Sequence, residues 1–397
     1  MFTLLLDLDD TLLDTNIQAF APAYFAALSE ALAQDVPQHL LVPALLEGTK
    51  AMTQNEDPAL TLREVFDAYF FPKIGRERAA LQTKIDRFYE EVFPTLERVV
   101  KRRPEAVDFV EWALQAGYQV AIATNPYFPL QAIHHRLRWA GLPPEEYSFA
   151  LISAYETFHF TKENPAYFYE FLAQLGWPEG PVLMVGNDFE MDLAPALRAG
   201  LPVFWLRQTP SSEHLDVPQG YFEDLRDYLE RTDPQTLQPT FQTPEALLAM
   251  LRSTPAALTT LTDSLPSEFW QCRPAPGEWC LVEVLCHLRD VEAEVNLPRL
   301  QKVLAEENPF LPGVVTDTWA EERNYASQDG HRALVEFVAS RRRLIALLNA
   351  ATDGWLRPAR HAIFGPTTLF ELVGFIAEHD RNHVRQIWNL FPKRSSK

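Results

Sequence analysis

The sequence predicts an α/β fold, a Rossmann-like parallel sheet with helices on both faces and a helical cap, followed by an all-α four-helix bundle. Three observations carry that expectation. Short apolar runs alternate with helical stretches between 104 and 206, the pattern of a parallel sheet covered on both faces. An insertion from about 15 to 100 has helical rather than strand spacing. Beyond 244, four long helical stretches follow with no convincing strand among them. At 397 residues the chain also exceeds one ordinary domain of roughly 150. The expected division is 1–235, with its core at 1–14 and 101–235, then a linker at 236–243 and a second unit at 244–397.

The elements follow in order. Phe2 to Leu6 is an apolar run that ends in acidic residues, the signature of a buried strand reaching a sheet edge. In the insertion, Phe20, Tyr24, Ala27 and Leu28, then Leu81, Ile85, Phe88 and Tyr89, recur at helical intervals. Pro104 to Gly117 reads as a helix with proline in its first turn and glycine at its end. Tyr118 to Ala123 is a strand, Pro129 to Gly141 a helix and Tyr147 to Ser153 a further strand. Asn164 to Gly176 is a helix, Pro181 to Val185 a strand, Asp188 to Gly200 a helix and Pro202 to Leu206 a strand. Arg231 to Pro244 is rich in Pro, Thr and Gln and lacks periodicity, as a linker does. The four bundle helices are expected at about Pro244–Ser264, Leu281–Glu307, Asp329–Ala351 and Thr367–Leu390.

Composition narrows the function. Hydrophobic residues make up 47% and charged residues 22%, so the chain is globular rather than disordered. The formal net charge of −19 disfavours phosphate backbones and anionic membranes as partners. The charge is uneven: 1–240 holds 18 basic and 35 acidic residues, whereas 241–397 holds 17 and 19, which suggests two units of separate origin. Three cysteines, Cys272, Cys280 and Cys286, make no disulfide framework, and a reducing cytoplasm is the expected compartment. Met1 to Asp10 has no basic region ahead of its apolar run, so no signal peptide is expected. Trp112 to His135, the longest stretch without Asp, Glu, Lys or Arg, is broken by Gly117, Pro126 and Pro129, so no membrane span is expected.

The first strand delivers Asp7-Leu8-Asp9-Asp10-Thr11. Strand alternation points Asp7 and Asp9 to one side of the edge where ligands of open parallel sheets bind. Taken alone, the motif could be a solvated strand end with Asp14 or Thr15 capping a helix. Crowded carboxylates without His or Cys favour a hard cation, most simply Mg²⁺. Thr124 and Asn125 follow the next strand, Lys162 lies in Thr161-Lys-Glu-Asn-Pro165, and the strand at 181–185 ends in Gly186-Asn187-Asp188-Phe-Glu-Met-Asp192. Each polar group stands where a strand is expected to stop.

This order of motifs resembles the haloacid dehalogenase-like hydrolase superfamily over roughly 1–235. The resemblance implies an Asp7 nucleophile that becomes an aspartyl phosphate, and Asp9 as acid and then base. It also implies Thr124 and Asn125 on the phosphoryl oxygens, and Lys162 as an electrostatic stabiliser. Mg²⁺ would be held by Asp7, the Asp9 carbonyl and an acidic residue of the last motif. Asn187 stands where that family usually has aspartate. Two carboxylates bind Mg²⁺ better than an amide and one carboxylate, which favours Asp188 with Asp192; the other register uses Asn187 with Asp192. Asp9 favours phosphomonoester hydrolysis over dehalogenation, its alternative in the superfamily. The implied cap excludes water and suits a small phosphorylated metabolite. Its aromatic residues Tyr24, Phe25, Tyr69, Phe70 and Phe71 are expected mainly in its own core.

In the second unit, His379-Asp-Arg-Asn-His383 puts two imidazoles on one helix face. His287 lies on another helix, among Val284, Leu285, Leu288 and Val291, so it faces the interior and needs a partner. Trp279, Glu283, His287-Leu288, Glu292, Gly365, Thr368-Leu369 and the final His-Asp-x-x-His-x-x-Gln-Ile resemble the DinB-like superfamily of four-helix bundles over roughly 243–393. The resemblance implies His287, His379 and His383 as ligands of Zn²⁺ or Ni²⁺ with open positions, and chemistry dependent on a low-molecular-weight thiol. A non-catalytic binding or dimerisation bundle is the alternative. Glu283 supports the metal site or is a solvated helix charge. Cys280 and Cys286 are expected to pack as small apolar residues.

Overall fold

A computed structural model describes residues 1–207, 216–263, 265–351 and 354–391. Strand β1 (Thr3–Leu6) is buried on both faces, as a central parallel strand must be. The chain then forms β2 (Leu13–Asp14), which pairs antiparallel with β3 (Lys101–Arg102) and closes the neck of the cap. The cap between them holds α1 (Ile17–Ala31), α2 (Gln38–Thr53), α3 (Leu62–Ile74) and α4 (Arg78–Arg87). Thr61 and Glu64 form a reciprocal capping box at the start of α3, and Gly75, in the left-handed region, ends it. The neck hairpin was not expected, because two-residue strands leave no periodic trace.

After the cap come α5 (Pro104–Gln115), β4 (Gln119–Ile122), α6 (Leu130–Ala140), α7 (Ala166–Gln174), β5 (Val182–Gly186), α8 (Ala194–Arg198), β6 (Val203–Leu206), β7 (Gln219–Gly220) and α9 (Phe222–Arg231). The parallel sheet has the order β4-β1-β5-β6-β7. Leu6 pairs with Ile122 on one side and Val185 on the other, so β1, β4 and β5 stop at one level. Residues that follow these strands therefore emerge on a single rim, where the strand order reverses. Two expectations change here. Residues 147–153 form no strand, but they run beside β4 through one bridge, Ile122 to Ile152. The helix expected at 188–200 opens with a π turn, Phe189–Leu193, before α8.

The second unit contains α10 (Pro244–Asp263), α11 (Leu281–Val291), α12 (Leu297–Ala305), β8 (Phe310–Leu311), α13 (Trp319–Glu322), α14 (Gly330–Ala350), β9 (Pro358–His361), β10 (Gly365–Thr368) and α15 (Leu369–Leu390). A π turn at Glu292–Asn296 joins α11 to α12, so four long helical rods stand together. The end expected for α10 at Ser264 lies outside the described residues. The unit is not all-α: β8, β9 and β10 make a three-stranded sheet across one end. Strands of two to four residues interrupted by Pro358, Gly365 and Pro366 carry too little alternation to be read.

The two units share a continuous hydrophobic core. Every residue of α7 is buried, and α10 packs along it. The stretch expected as a linker is docked: Leu237 is buried, Phe241 packs on Tyr169 and Trp177, and the Thr240 amide donates to the Gly200 carbonyl at 2.8 Å. A Cβ at Gly200 would sit 1.8 Å from the Thr240 carbonyl, so glycine is required there. No described helix is long and apolar enough to cross a membrane.

Candidate active site and metal centre

The rim of the sheet gathers most of the expected residues. Asp7 leaves β1 with its amide donating to the Val185 carbonyl at 3.0 Å, which fixes the direction of its side chain. Its Oδ2 accepts from the Thr11 hydroxyl at 2.8 Å, and its Oδ1 meets Lys162 Nζ at 2.5 Å. The same ammonium reaches Asp192 Oδ1 at 2.7 Å, and all three side chains are buried. Burial and the nearby Asp7 charge push the Asp192 carboxyl up to about 7, against the pull of Lys162. Burial alone would lower the Lys162 pKa; Asp192 and Asp7 more than reverse this and raise it. Gly186 makes the approach possible, because a Cβ there would lie 2.3 Å from Asp192 Oδ2.

Asp9 turns toward the cap. Its Oδ1 accepts from the Thr15 hydroxyl at 2.5 Å and pairs with the guanidinium of Arg136. Asp10, with φ of 54°, makes the sharp turn behind it and accepts from the Thr15 amide at 2.9 Å. Arg136, on α6, was missed from sequence. It is 2% exposed and lies over the rings of Phe20 and Phe128, at 5.6 and 5.4 Å. Burial lowers its pKa to about 10. Its neighbours Ile133 and Leu137 mark only an amphipathic helix, so no sequence signal pointed to it.

Thr124 is buried where β4 ends, and its carbonyl accepts from the Ser153 hydroxyl at 2.7 Å and the Tyr167 hydroxyl at 2.9 Å. Asn125 grips the loop of Lys162: its Oδ1 accepts from the Lys162 amide at 3.3 Å and its Nδ2 donates to Glu163 at 3.2 Å. Asp188 is not brought to Asp7, which corrects the expectation for it. Its Oδ1 accepts from the amides of Glu190 and Met191, at 2.9 and 3.0 Å, as the cap of the following turn. Asn187 faces the site instead, its Oδ1 accepting from Thr11 at 3.1 Å. Asp7, Asp192 and Asn187, linked through Lys162 and Thr11, bring oxygen donors together on the rim, and oxygen donors fit a hard dication.

Above the rim the cap encloses a cavity of about 230 Å³ lined by Phe20, Tyr24, Phe25, Phe70, Tyr89 and Phe128. Asp67 and Arg78 pair at its wall at 2.6 Å. Tyr24, Phe70 and Phe71 belong to the cap's core as well as to this lining, while Tyr69 is exposed.

In the bundle, α11 and α15 bring His287, His379 and His383 together. The Nε2 atoms of His287 and His383 each lie 3.1 Å from that of His379. Burial, with the neighbouring imidazoles, lowers the pKa of His287 and His379 to about 3, so both are neutral. His383 Nδ1 contacts Gln386 Oε1 at 2.9 Å; a carbonyl only accepts, so Nδ1 carries the proton and Nε2 keeps its lone pair. His287 Nδ1 is buried without a partner. Three converging neutral nitrogens fit a divalent metal that accepts imidazole. Glu283 accepts from the Cys280 amide at 2.9 Å and pairs with Arg273 at 2.6 Å, so it caps α11 rather than supporting the metal site. Cys280 and Cys286 are buried and Cys272 is exposed.

Residues 2–200 match the family model of haloacid dehalogenase-like hydrolases, and residues 250–387 match that of the DinB superfamily. Over 118 residues the chain is 33% identical to the pyrimidine 5'-nucleotidase YjjG of Escherichia coli strain K12. That stretch is 30% of this chain and 48% of the other, so the chain spans about half the length of the curated relative it matches. Among solved structures, a HAD phosphatase from Thermococcus onnurineus is 20% identical, covering 58% of this chain and 98% of its own, with a TM-score of 0.38. YfiT from Bacillus subtilis is 22% identical, covering 38% and 88%, with a TM-score of 0.35.

Proposed function

The chain belongs to the haloacid dehalogenase-like hydrolase family, and from that premise we propose that its sheet-edge site is a Mg²⁺-dependent phosphomonoester hydrolase. The single observation that carries the reading is Lys162 Nζ held between Asp7 and Asp192, with Asp9 on the same rim. Asp7 is aimed by its hydrogen bonds from Thr11 and Lys162, and a free lone pair of its carboxylate attacks phosphorus. The bond to the leaving oxygen breaks, and that oxygen takes a proton from Asp9. Asp9 then removes a proton from water as the water attacks the aspartyl phosphate; the phosphorus–Asp7 bond breaks and phosphate leaves. Lys162 offsets charge on nucleophile and phosphoryl group throughout, and Thr124 and Asn125 bind the phosphoryl oxygens. Mg²⁺ on Asp7, the Asp9 carbonyl, Asp192 and Asn187 would neutralise the phosphoryl oxygens further.

The substrate is a small phosphorylated metabolite whose leaving group enters the aromatic cap cavity. The E. coli relative is named for pyrimidine nucleotides, which makes pyrimidine 5'-monophosphates the first to try. A panel of phosphomonoesters with Mg²⁺, before and after EDTA, tests the reading: hydrolysis that EDTA abolishes and Mg²⁺ restores is expected. Release of halide from 2-haloacids, with no phosphate released from any ester, would replace it with the dehalogenase reading.

The bundle is proposed as a second, metal-binding unit over 244–397, following a sheet unit at 1–235. His287, His379 and His383 would hold Zn²⁺ or Ni²⁺, which supplies a Lewis acid, and a low-molecular-weight thiol is the proposed co-substrate. A cytoplasmic location fits three unpaired cysteines.

A further inference from the structure

Beside the histidine cluster lies a second cavity of about 180 Å³, with His379 at its edge. That is small against the roughly 300–1,000 Å³ of pockets that take larger ligands. Its lining is apolar at Val295, Leu300, Leu372 and Ile376. Arg299, beside Leu300 on α12, and His361 at the end of β9 bring donors to the same lining. Arg299 is half-buried; one of its nitrogens donates to the Pro312 carbonyl at 2.9 Å, and among the described residues it pairs with no carboxylate. A guanidinium so placed is stabilised by an anion, and its planar fork matches a carboxylate.

His361 is 5% exposed. Its Nδ1 faces the backbone amides of Ile363 and Phe364 at 3.2 and 3.4 Å. Both are donors, so Nδ1 is unprotonated and the ring proton sits on Nε2. Burial, with the Arg299 charge, lowers the pKa of the ring. The cavity thus joins two donors to an apolar lining, which includes exposed Val314, Phe364 and Phe375.

We infer that the bundle carries a binding site for a small organic monocarboxylate, with Arg299 and His361 donating to the carboxylate and the apolar lining covering its hydrocarbon body. His379 is the member of the histidine cluster that lines this cavity, so the acid is placed beside that centre. The site is separate from the sheet edge and does not rest on phosphate hydrolysis there.

A saturation-transfer NMR titration of the full-length protein with sodium hexanoate tests this, with hexanamide as the neutral isostere. Hexanoate is expected to bind at least about tenfold more tightly than hexanamide, as for a charge-assisted pair. Arg299→Gln should weaken hexanoate by about tenfold or more and leave hexanamide unchanged, while Arg299→Lys keeps part of the preference. Equal affinity for acid and amide, or an Arg299→Gln protein that binds hexanoate like the wild type, overturns the inference. Should Arg299→Gln fail to fold, Val314→Trp decides, since Val314 is 41% exposed and tolerates a larger side chain that closes the cavity. Hexanoate binding lost in Val314→Trp supports the site, and binding retained refutes it.

Discussion

Replacing Lys162 with methionine keeps the length of the side chain and removes the ammonium that stands 2.5 Å from Asp7 and 2.7 Å from Asp192. Lys162 is 1% exposed, so water cannot take its place without repacking. Breaking a buried pair costs about 3–5 kcal/mol, because the remaining charge is left uncompensated. At about 2–4 °C per kcal/mol for a unit of this size, the metal-free sheet unit should melt roughly 6–20 °C lower. Mg²⁺ bound to the same carboxylates offsets part of the loss, so the increase in melting temperature on adding Mg²⁺ should be larger in Lys162→Met than in the wild type. Turnover should fall about 10²–10³-fold, the range for losing one preorganised electrostatic group. Calorimetric melting with and without Mg²⁺, paired with phosphate release, reads all three. A variant that melts with the wild type, gains no extra stability from Mg²⁺ and hydrolyses esters at an unchanged rate would refute the role of the bridge.

Further outcomes follow from the same geometry. Asn187→Asp places a third carboxylate beside Asp7 and Asp192 and should tighten Mg²⁺ by about tenfold in a titration of activity against free Mg²⁺, as harder ligands do; Asp188→Asn should leave Mg²⁺ affinity unchanged, since Asp188 caps a turn. Arg136→Met keeps the packing over Phe20 and Phe128 but frees Asp9, so kcat should fall about 10²-fold with little change in KM, the loss expected of a misplaced acid–base group. In metal-free protein, the native bundle disfavours protons on His287 and His379 down to about 3, whereas the unfolded chain takes them up near 6.5. The stabilisation is therefore fully present above about 6.5 and is lost as pH falls toward about 3. A His287→Gln, His379→Gln double variant should show a flatter stability curve across that window in denaturant titrations.

Much of the site could be read along the chain because strand ends announce themselves. Apolar runs that stop at Asp7, Thr124 and Gly186 place their next residues on one rim, and a spacing of four puts His379 and His383 on one helix face. The choice between Asn187 and Asp188 could not be read in that way. Adjacent residues leaving a strand point to opposite sides, and the turn that follows takes Asp188 as its cap while Asn187 meets Thr11. Arg136 was hidden for another reason: its burial depends on Phe20 from the cap and Phe128 from a loop, which meet only after folding. The docked stretch around Thr240 and Phe241 owes its order to tertiary contacts with Gly200 and Trp177, and its composition is that of a flexible tether. Glu283 has the helical placement of a metal-supporting residue, yet it closes a capping box, a local role that competes for the same carboxylate.

The central claim is that Asp7 carries the phosphoryl group. Asp9→Asn protein lacks the base that activates water for the second step, so a covalent intermediate should accumulate when the enzyme is mixed with Mg²⁺ and p-nitrophenyl phosphate, whose leaving group departs without the proton Asp9 would supply, and then quenched in acid. Peptide mass spectrometry should find one phosphoryl group on the N-terminal peptide at Asp7. A phosphoryl group on another residue, or rapid phosphate release by Asp9→Asn with no adduct on Asp7 at any time point, would contradict the account.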